Sequence, residues 1–234
     1  MKNVKRLLAL LLAVAMLVTL CACNKNASDK ESSEKASSEK ESSDKESSDK
    51  TSSNKNSSKS AESAAESYVK ATIEGDTKTL LSLMLGDYQA YFEEEVYGDK
   101  KDRNSLFEVY EEYAEELDLD VTIEDWNDYY SALKKIAAAQ NEEEYGEGYS
   151  ISYRVVETKK IRSSDLEDIQ DKYDTDAYED YIDVDLIEEG KKVYVRIFID
   201  SDDSPEAYIY TVYVVKYDGK WKVVQGSYDD RDDD

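Results

Sequence analysis

Few residue types in this chain can do chemistry. Its 234 residues include no histidine and two cysteines, Cys21 and Cys23, beside 55 carboxylates and 20 tyrosines. Without histidine there is no Ser–His–Asp hydrolysis, no imidazole zinc site and no use of the commonest general base. No Gly-rich phosphate loop or Walker motif occurs among the 8 glycines. Thiol, carboxylate and phenol chemistry remain. The carboxylates gather in two clusters, Asp174, Asp176, Glu179, Asp180, Asp183 and Asp185, and then Asp200, Asp202, Asp203 and Glu206. Calcium takes six to eight oxygens, so dense carboxylate loops are candidates, Asp200, Asp202 and Asp203 above all. Neither cluster has the glycine at loop position six or the glutamate at position twelve of an EF-hand. Ser201, Ser204 and Pro205 favour a solvated turn for the second. Among the phenols, Tyr194, Tyr208, Tyr210 and Tyr213 fall in strand-like stretches. There they could line an exposed face that binds a peptide or glycan, or fill a core that has only 3 phenylalanines.

The two thiols sit in Leu20-Cys21-Ala22-Cys23, which closes the apolar run Leu7 to Leu20. Lys2, Lys5 and Arg6 precede the run, giving the basic start, short apolar core and small-residue end of a secretory signal. At 14 residues the run falls short of the roughly 20 that span a bilayer. Leu20 three residues before Cys23, with Ala22 between, resembles the lipobox of bacterial lipoproteins. That resemblance implies cleavage before Cys23, a diacylglycerol thioether on it, further acylation such as palmitate, and residence on the outer face of the cell membrane. Cys21 follows the large Leu20 and fits the lipobox less well. A plain secretory signal with incidental cysteines is the alternative. With Cys23 first, no thiol remains for a disulfide or a metal.

Residues 23–60 read as a lipidated cysteine and a disordered tether. From Asn24 to Ser60 there is no aromatic and no branched aliphatic side chain, so too little apolar area exists to offset the entropy of ordering. Lys30, Lys35, Lys40, Lys45, Lys50 and Lys55 recur every fifth residue, a period of neither helix nor strand. As a flexible chain this tether reaches roughly 35 Å.

Residues 61–228 read as one domain and 229–234 as an acidic tail. Removing residues 1–22 takes away three of the 30 basic residues and none of the 55 acidic ones, which leaves a net charge of −28. The tether is neutral, with eight lysines against eight carboxylates, so residues 61–234, domain and tail together, carry all of it. Such a balance disfavours nucleic acid and anionic membrane surfaces as partners, and is ordinarily a solvated face.

The first half has helical periodicity. Ala61, Ala64, Ala65, Tyr68, Val69 and Ile73 mark one helix between Ser60 as cap and Gly75 as stop. Asp76 caps a second through Leu80, Leu81 and Met84, and a short segment with Tyr88, Tyr91 and Phe92 follows. Leu106 to Leu117 marks a longer helix, and Trp126 to Ala137 another near 124–140. The second half alternates with period two. Strands are expected at Ile151–Val156, Val193–Ile199, Ala207–Tyr217 and Lys220–Gln225, with a brief helix at Asp165–Tyr173 and a hairpin turn at Asp218-Gly219. Tyr178–Glu189 is open between an edge strand and a loop with a helical turn.

Helices first, then a terminal antiparallel meander, make an α+β pattern. Tyr68-Val69-Lys70-Ala71 running through Glu74-Gly75-Asp76 to Leu80-Leu81-Ser82-Leu83-Met84, and Val214-Val215-Lys216-Tyr217-Asp218-Gly219-Lys220-Trp221-Lys222-Val223, resemble the nuclear transport factor 2-like superfamily. The resemblance implies N-terminal helices packed on a curved antiparallel sheet of about four strands, a cone, and pairing through the sheet into dimers. Lipoproteins of uncharacterised function from Gram-positive gut-type bacteria often carry this arrangement behind a Ser-rich tether, which implies the extracellular face of such a cell. The departure is an enlarged Tyr-rich, acidic middle, roughly 87–145.

The expectation is a membrane-anchored extracytoplasmic lipoprotein whose domain binds, without catalysis, an envelope or extracellular protein or a glycan. No catalytic residue or cofactor is expected. The alternative is a small-molecule binder or isomerase- or dehydratase-like enzyme, since ketosteroid isomerases of this superfamily work with Asp and Tyr alone.

Overall fold

A computed structural model describes residues 59–201 and 205–229. Residues 1–58, which hold Cys23 and the tether up to its last two residues, lie outside the described residues, as do 202–204, with Asp202 and Asp203, and 230–234. The fold is α+β, with helices packed against a four-stranded, wholly antiparallel sheet in the order β1-β2-β3-β4.

Helix α1 (Ala61–Ile73) starts where Ser60 accepts from the Ser63 N–H at 3.1 Å, and Gly75 follows it at φ 65°. Its buried face is mostly alanine (Ala61, Ala64, Ala65, Ala71), which lets the helix lie close across all four strands. Helix α2 (Thr77–Leu83) begins at Asp76, which accepts from the Thr79 N–H at 3.1 Å. Its end meets the sheet through a parallel bridge between Met84 and Val223. A short helix α3 (Tyr88–Ala90) then widens into a π-helical segment, Tyr91–Val96.

Helices α4 (Lys100–Glu116) and α5 (Trp126–Tyr145) form the enlarged middle. Asp99 and Asp125 cap them, accepting from backbone N–H groups at 2.7 and 2.8 Å. Trp126 anchors this part, with ring centroids at 5.5 Å from Phe92, 5.3 Å from Phe107 and 5.6 Å from Tyr129. Helix α5 runs past 140 because tertiary contacts hold its last turn. Asn141 donates to the Ile73 carbonyl at 3.1 Å, and Tyr145 is buried.

The strands are β1 (Ser150–Lys160), β2 (Ile187–Asp200), β3 (Glu206–Tyr217) and β4 (Lys220–Asp229), with helix α6 (Ser163–Tyr173) between the first two. Strand β4 extends beyond Gln225, so Asp229 belongs to the sheet rather than to the tail. Tyr178–Glu189 is mostly loop, with a 3-10 turn at Val184–Leu186 ahead of β2. Asp218 and Gly219 stand at φ 47° and 71°, as a type I′ hairpin turn demands.

Register assigns the two faces of the sheet. Val193, Val195, Ile197 and Ile199 of β2 face the helices, joined on β3 by Tyr208, Tyr210 and Val212. Ile151, Tyr153 and Val155 extend that inner face on β1, and Trp221, Val223 and Gly226 on β4. The outer face carries Arg154, Glu157 and Lys159 of β1, Lys192, Tyr194, Arg196 and Phe198 of β2, and Thr211 and Tyr213 of β3.

Candidate functional site

The four strand tyrosines do not share a surface. Tyr208 pairs with Ile197 and Tyr210 with Val195, which puts both on the inner face. Tyr210 is buried, its ring 6.4 Å from that of Tyr68 on α1, so it belongs to the core. Tyr194 and Tyr213 lie on the outer face, opposite Thr211 and Lys192, but Tyr194 is buried there beneath its neighbours and only Tyr213 is half-buried. Tyr213 is three positions on from Tyr210, an odd step, and a strand turns such a pair to opposite sides.

What the outer face holds instead is a ladder of cations and phenols. The Lys192 ammonium stands 5.0 Å from the Tyr194 ring centroid and 5.4 Å from that of Tyr213. Lys159 lies over the other reach of Tyr194 at 5.2 Å, and is also paired with Glu157 at 2.9 Å. Cation–π contacts of this length hold the lysine stems along the rings. Partial burial works to lower the Lys192 pKa, but the two phenol oxygens outweigh it and hold the ammonium above the usual lysine range. It is charged at every physiological pH. Further along, Arg154 and Arg196 face each other directly across β1 and β2, and Lys159 faces Lys192. Phe198 ends the row at 44 % exposure, and Val156, the extra residue of a bulge in β1, is 45 % exposed. A cationic, aromatic strip therefore sits on a domain whose net charge is strongly negative. Sequence reading missed it because Arg154, Lys159, Lys192 and Arg196 are scattered along the chain and meet only through register.

Several phenols elsewhere donate to carboxylates. Tyr130 donates to Glu93 Oε1 at 2.7 Å, Tyr181 to Glu95 Oε1 at 3.2 Å, and Tyr208 to Glu206. Burial first, and then the Glu93 carboxylate, push the Tyr130 phenol well above its ordinary range. A phenol whose proton is committed to a carboxylate is neither a base nor a donor to a substrate oxyanion. Tyr68 and Tyr173 are raised by burial, and the Tyr173 hydroxyl donates to the Val224 carbonyl at 3.4 Å. The Tyr129 hydroxyl is buried and interacts with that of Tyr110, whose ring centroid is 5.2 Å from its own.

Asp200 is exposed at the end of β2, and Asp174, Asp176, Glu179, Asp180, Asp183 and Asp185 are all exposed. Asp183 spends one oxygen on the Asp185 N–H at 3.1 Å. Among the described residues no group of three or more His, Cys, Asp or Glu side chains is placed to hold a metal ion. None of their helices is long and apolar enough to cross a membrane. Compared with known proteins, the chain matches no family model, no curated protein and no solved structure.

Proposed function

We propose that this chain is an extracytoplasmic lipoprotein, anchored through Cys23, whose α+β domain binds a partner without catalysis through the outer face of its sheet. The observation that carries the reading is Lys192 held between Tyr194 and Tyr213 on a strip of like-charged pairs. Surfaces rich in Tyr and Arg are those that partners use. The helix-facing side of the sheet, where an isomerase-type pocket belongs, is occupied by packed side chains from Val193 to Ile199 and by the Tyr68–Tyr210 contact. The cone resemblance to the nuclear transport factor 2-like superfamily stays part of this proposal and accounts for α1 lying across a meander.

Two measurements on the full-length chain in its own cells test it. Cys23→Ala is expected to move the protein from membranes to the soluble fraction. A photo-crosslinking residue at Tyr213 is expected to give adducts that Lys192→Glu removes. Membrane retention of the Cys23 variant sinks the anchor, and adducts indifferent to Lys192 sink the binding face.

A further inference from the structure

The two edges of the sheet are finished differently. At β4 the helical layer closes in, through the Met84–Val223 bridge and the Lys222 ammonium donating to the Ser82 carbonyl at 2.8 Å. At β1, among the described residues, one side pairs with β2 and the other pairs with nothing. An open edge presents a row of backbone donors and acceptors to any extended chain. The inner-face residues of β1 are also incompletely covered. Ile151, Tyr153 and Val155 are half-buried, whereas their neighbours Ile199, Ile197 and Val195 on β2 are buried.

We propose that the β1 edge takes up an extended acidic peptide as a fifth strand. Apolar side chains of that peptide cover Ile151, Tyr153 and Val155, and two of its carboxylates lie beside Arg154 and Lys159, with a neutral residue between them opposite Glu157. The proposal deepens the reading of the outer face as the binding surface and rests on it. The register sets the spacing. On β2 the residues facing Arg154 and Lys159 are Arg196 and Lys192, four apart, because the bulge at Val156 absorbs one residue of β1. A partner in the same register places carboxylates at i and i+4, about 13 Å apart along a strand.

Two other occupants fit less well. A second copy pairing edge to edge about Glu157 opposes Glu157 to Glu157 and Arg154 to Lys159, and like charges opposed across strands are unfavourable. An anionic polysaccharide satisfies the cations but leaves the apolar inner row uncovered. Edge charges and a bulge do guard strands against aggregation. That role accounts for Lys159, Lys160 and the bulge, all on the edge strand. It does not account for Arg196 and Lys192, one strand further in. The net charge of the domain repels anions at long range, and the strip reverses that locally within a Debye length of about 8 Å.

The test titrates the full-length chain with a synthetic peptide long enough to span β1, valine at alternate positions and, between them, glutamate at i and i+4 with threonine at i+2 opposite Glu157. Binding is expected, with new hydrogen-exchange protection confined to β1 amides. Methylating the peptide's alternate backbone nitrogens is expected to abolish it, since main-chain hydrogen bonds carry strand addition. Arg154→Glu and Lys159→Glu, each checked for an unchanged melting temperature, are expected to weaken it about tenfold or more. Equal binding of the methylated peptide, equal competition by polyglutamate or a sulfated polysaccharide, self-association through β1, or no binding at all overturns the inference. If the peptide fails while Lys192→Glu still removes crosslinks at Tyr213, only the fifth strand falls. If both fail, the outer-face reading falls with it.

Discussion

Gly226→Ala is the sharpest probe of how the helix-facing side of the sheet is filled. A Cβ built on Gly226 would stand 2.5 Å from Tyr68 Cε1, 2.6 Å from Tyr210 Cε1 and 3.2 Å from Tyr210 Oη. Carbon atoms in good contact stay about 3.5–4.0 Å apart, so two rings must each retreat by about 1 Å. Both are buried, and their centroids are 6.4 Å apart, so each ring blocks the retreat of the other. Overpacking of this kind costs about 1–3 kcal/mol. The lower chain entropy of unfolded alanine returns about 0.4–1 kcal/mol, leaving a net loss between about 0 and 2.6 kcal/mol, about 1.3 at the midpoints. For a domain of this size that midpoint lowers the melting temperature by roughly 3–5 °C. The assay is thermal unfolding of the full-length chain followed by circular dichroism. Adding Tyr210→Leu is expected to cost less in the Gly226→Ala background than alone, with a coupling of about 0.5 kcal/mol or more. A stabilising Gly226→Ala, or strict additivity of the pair, refutes the packed inner face and reopens a pocket there.

The buried phenols predict an alkaline limit to stability. Burial raises Tyr68 to about 12, the Tyr210 hydroxyl offsetting part of it, and raises Tyr129, Tyr130 and Tyr173 well above the usual phenol range. Folded values above unfolded ones mean that the stabilisation is complete below about pH 10 and drains away as pH rises beyond it. Phenolate absorbance should rise in two stages, the second coincident with loss of near-ultraviolet dichroism; one reversible wave in a folded protein contradicts this. Asp76 is the opposite case. Burial alone would raise its pKa, but Lys134 at 2.8 Å and the Thr79 N–H outweigh burial and lower it. Its stabilisation is present above about pH 4 and lost as pH falls further. Asp76→Ala should cost about 1–2 kcal/mol in a neutral-pH denaturant midpoint, and Asp76→Asn less, since it keeps the cap and loses only a half-exposed pair. Equal costs in strong acid and at neutral pH refute the assignment.

Local rules made much of this fold legible. Ser60 and Asp76 could be named as caps because short oxygen-bearing side chains satisfy the first N–H groups of a helix. Asp218-Gly219 could be named as a turn because few residue pairs accept two positive φ values. The separation of Tyr210 from Tyr213 was legible too, since period two alone divides them, although composition invited treating the tyrosines as one set. Long-range pairing was not legible. Nothing local to Arg154 says that Arg196 lies opposite, or that a bulge at Val156 brings Lys159 to Lys192. The last turn of α5 depends on Ile73, 68 residues away. The π-helical stretch Tyr91–Val96 has the composition of an ordinary helix, and its widening has no local signature in the sequence.

The placement of the cations bears on function more than their number does. A surface selected only for solubility needs charge of one sign or a mixture, and gains nothing from arginine opposite arginine and lysine opposite lysine in adjacent strands. Each such pair works against the sheet by a few tenths of a kcal/mol to about 1 kcal/mol. Three such pairs, Arg154–Arg196, Lys159–Lys192 and Lys160–Lys191, fall on the two strands nearest the open edge, the first two on the outer face, where Lys192 lies between two phenols. Departures from local stability rules gather where a protein meets something else. Here two independent departures, opposed cations and an edge that no described strand covers, fall on the same margin of the molecule, and a single anionic extended partner would relieve both.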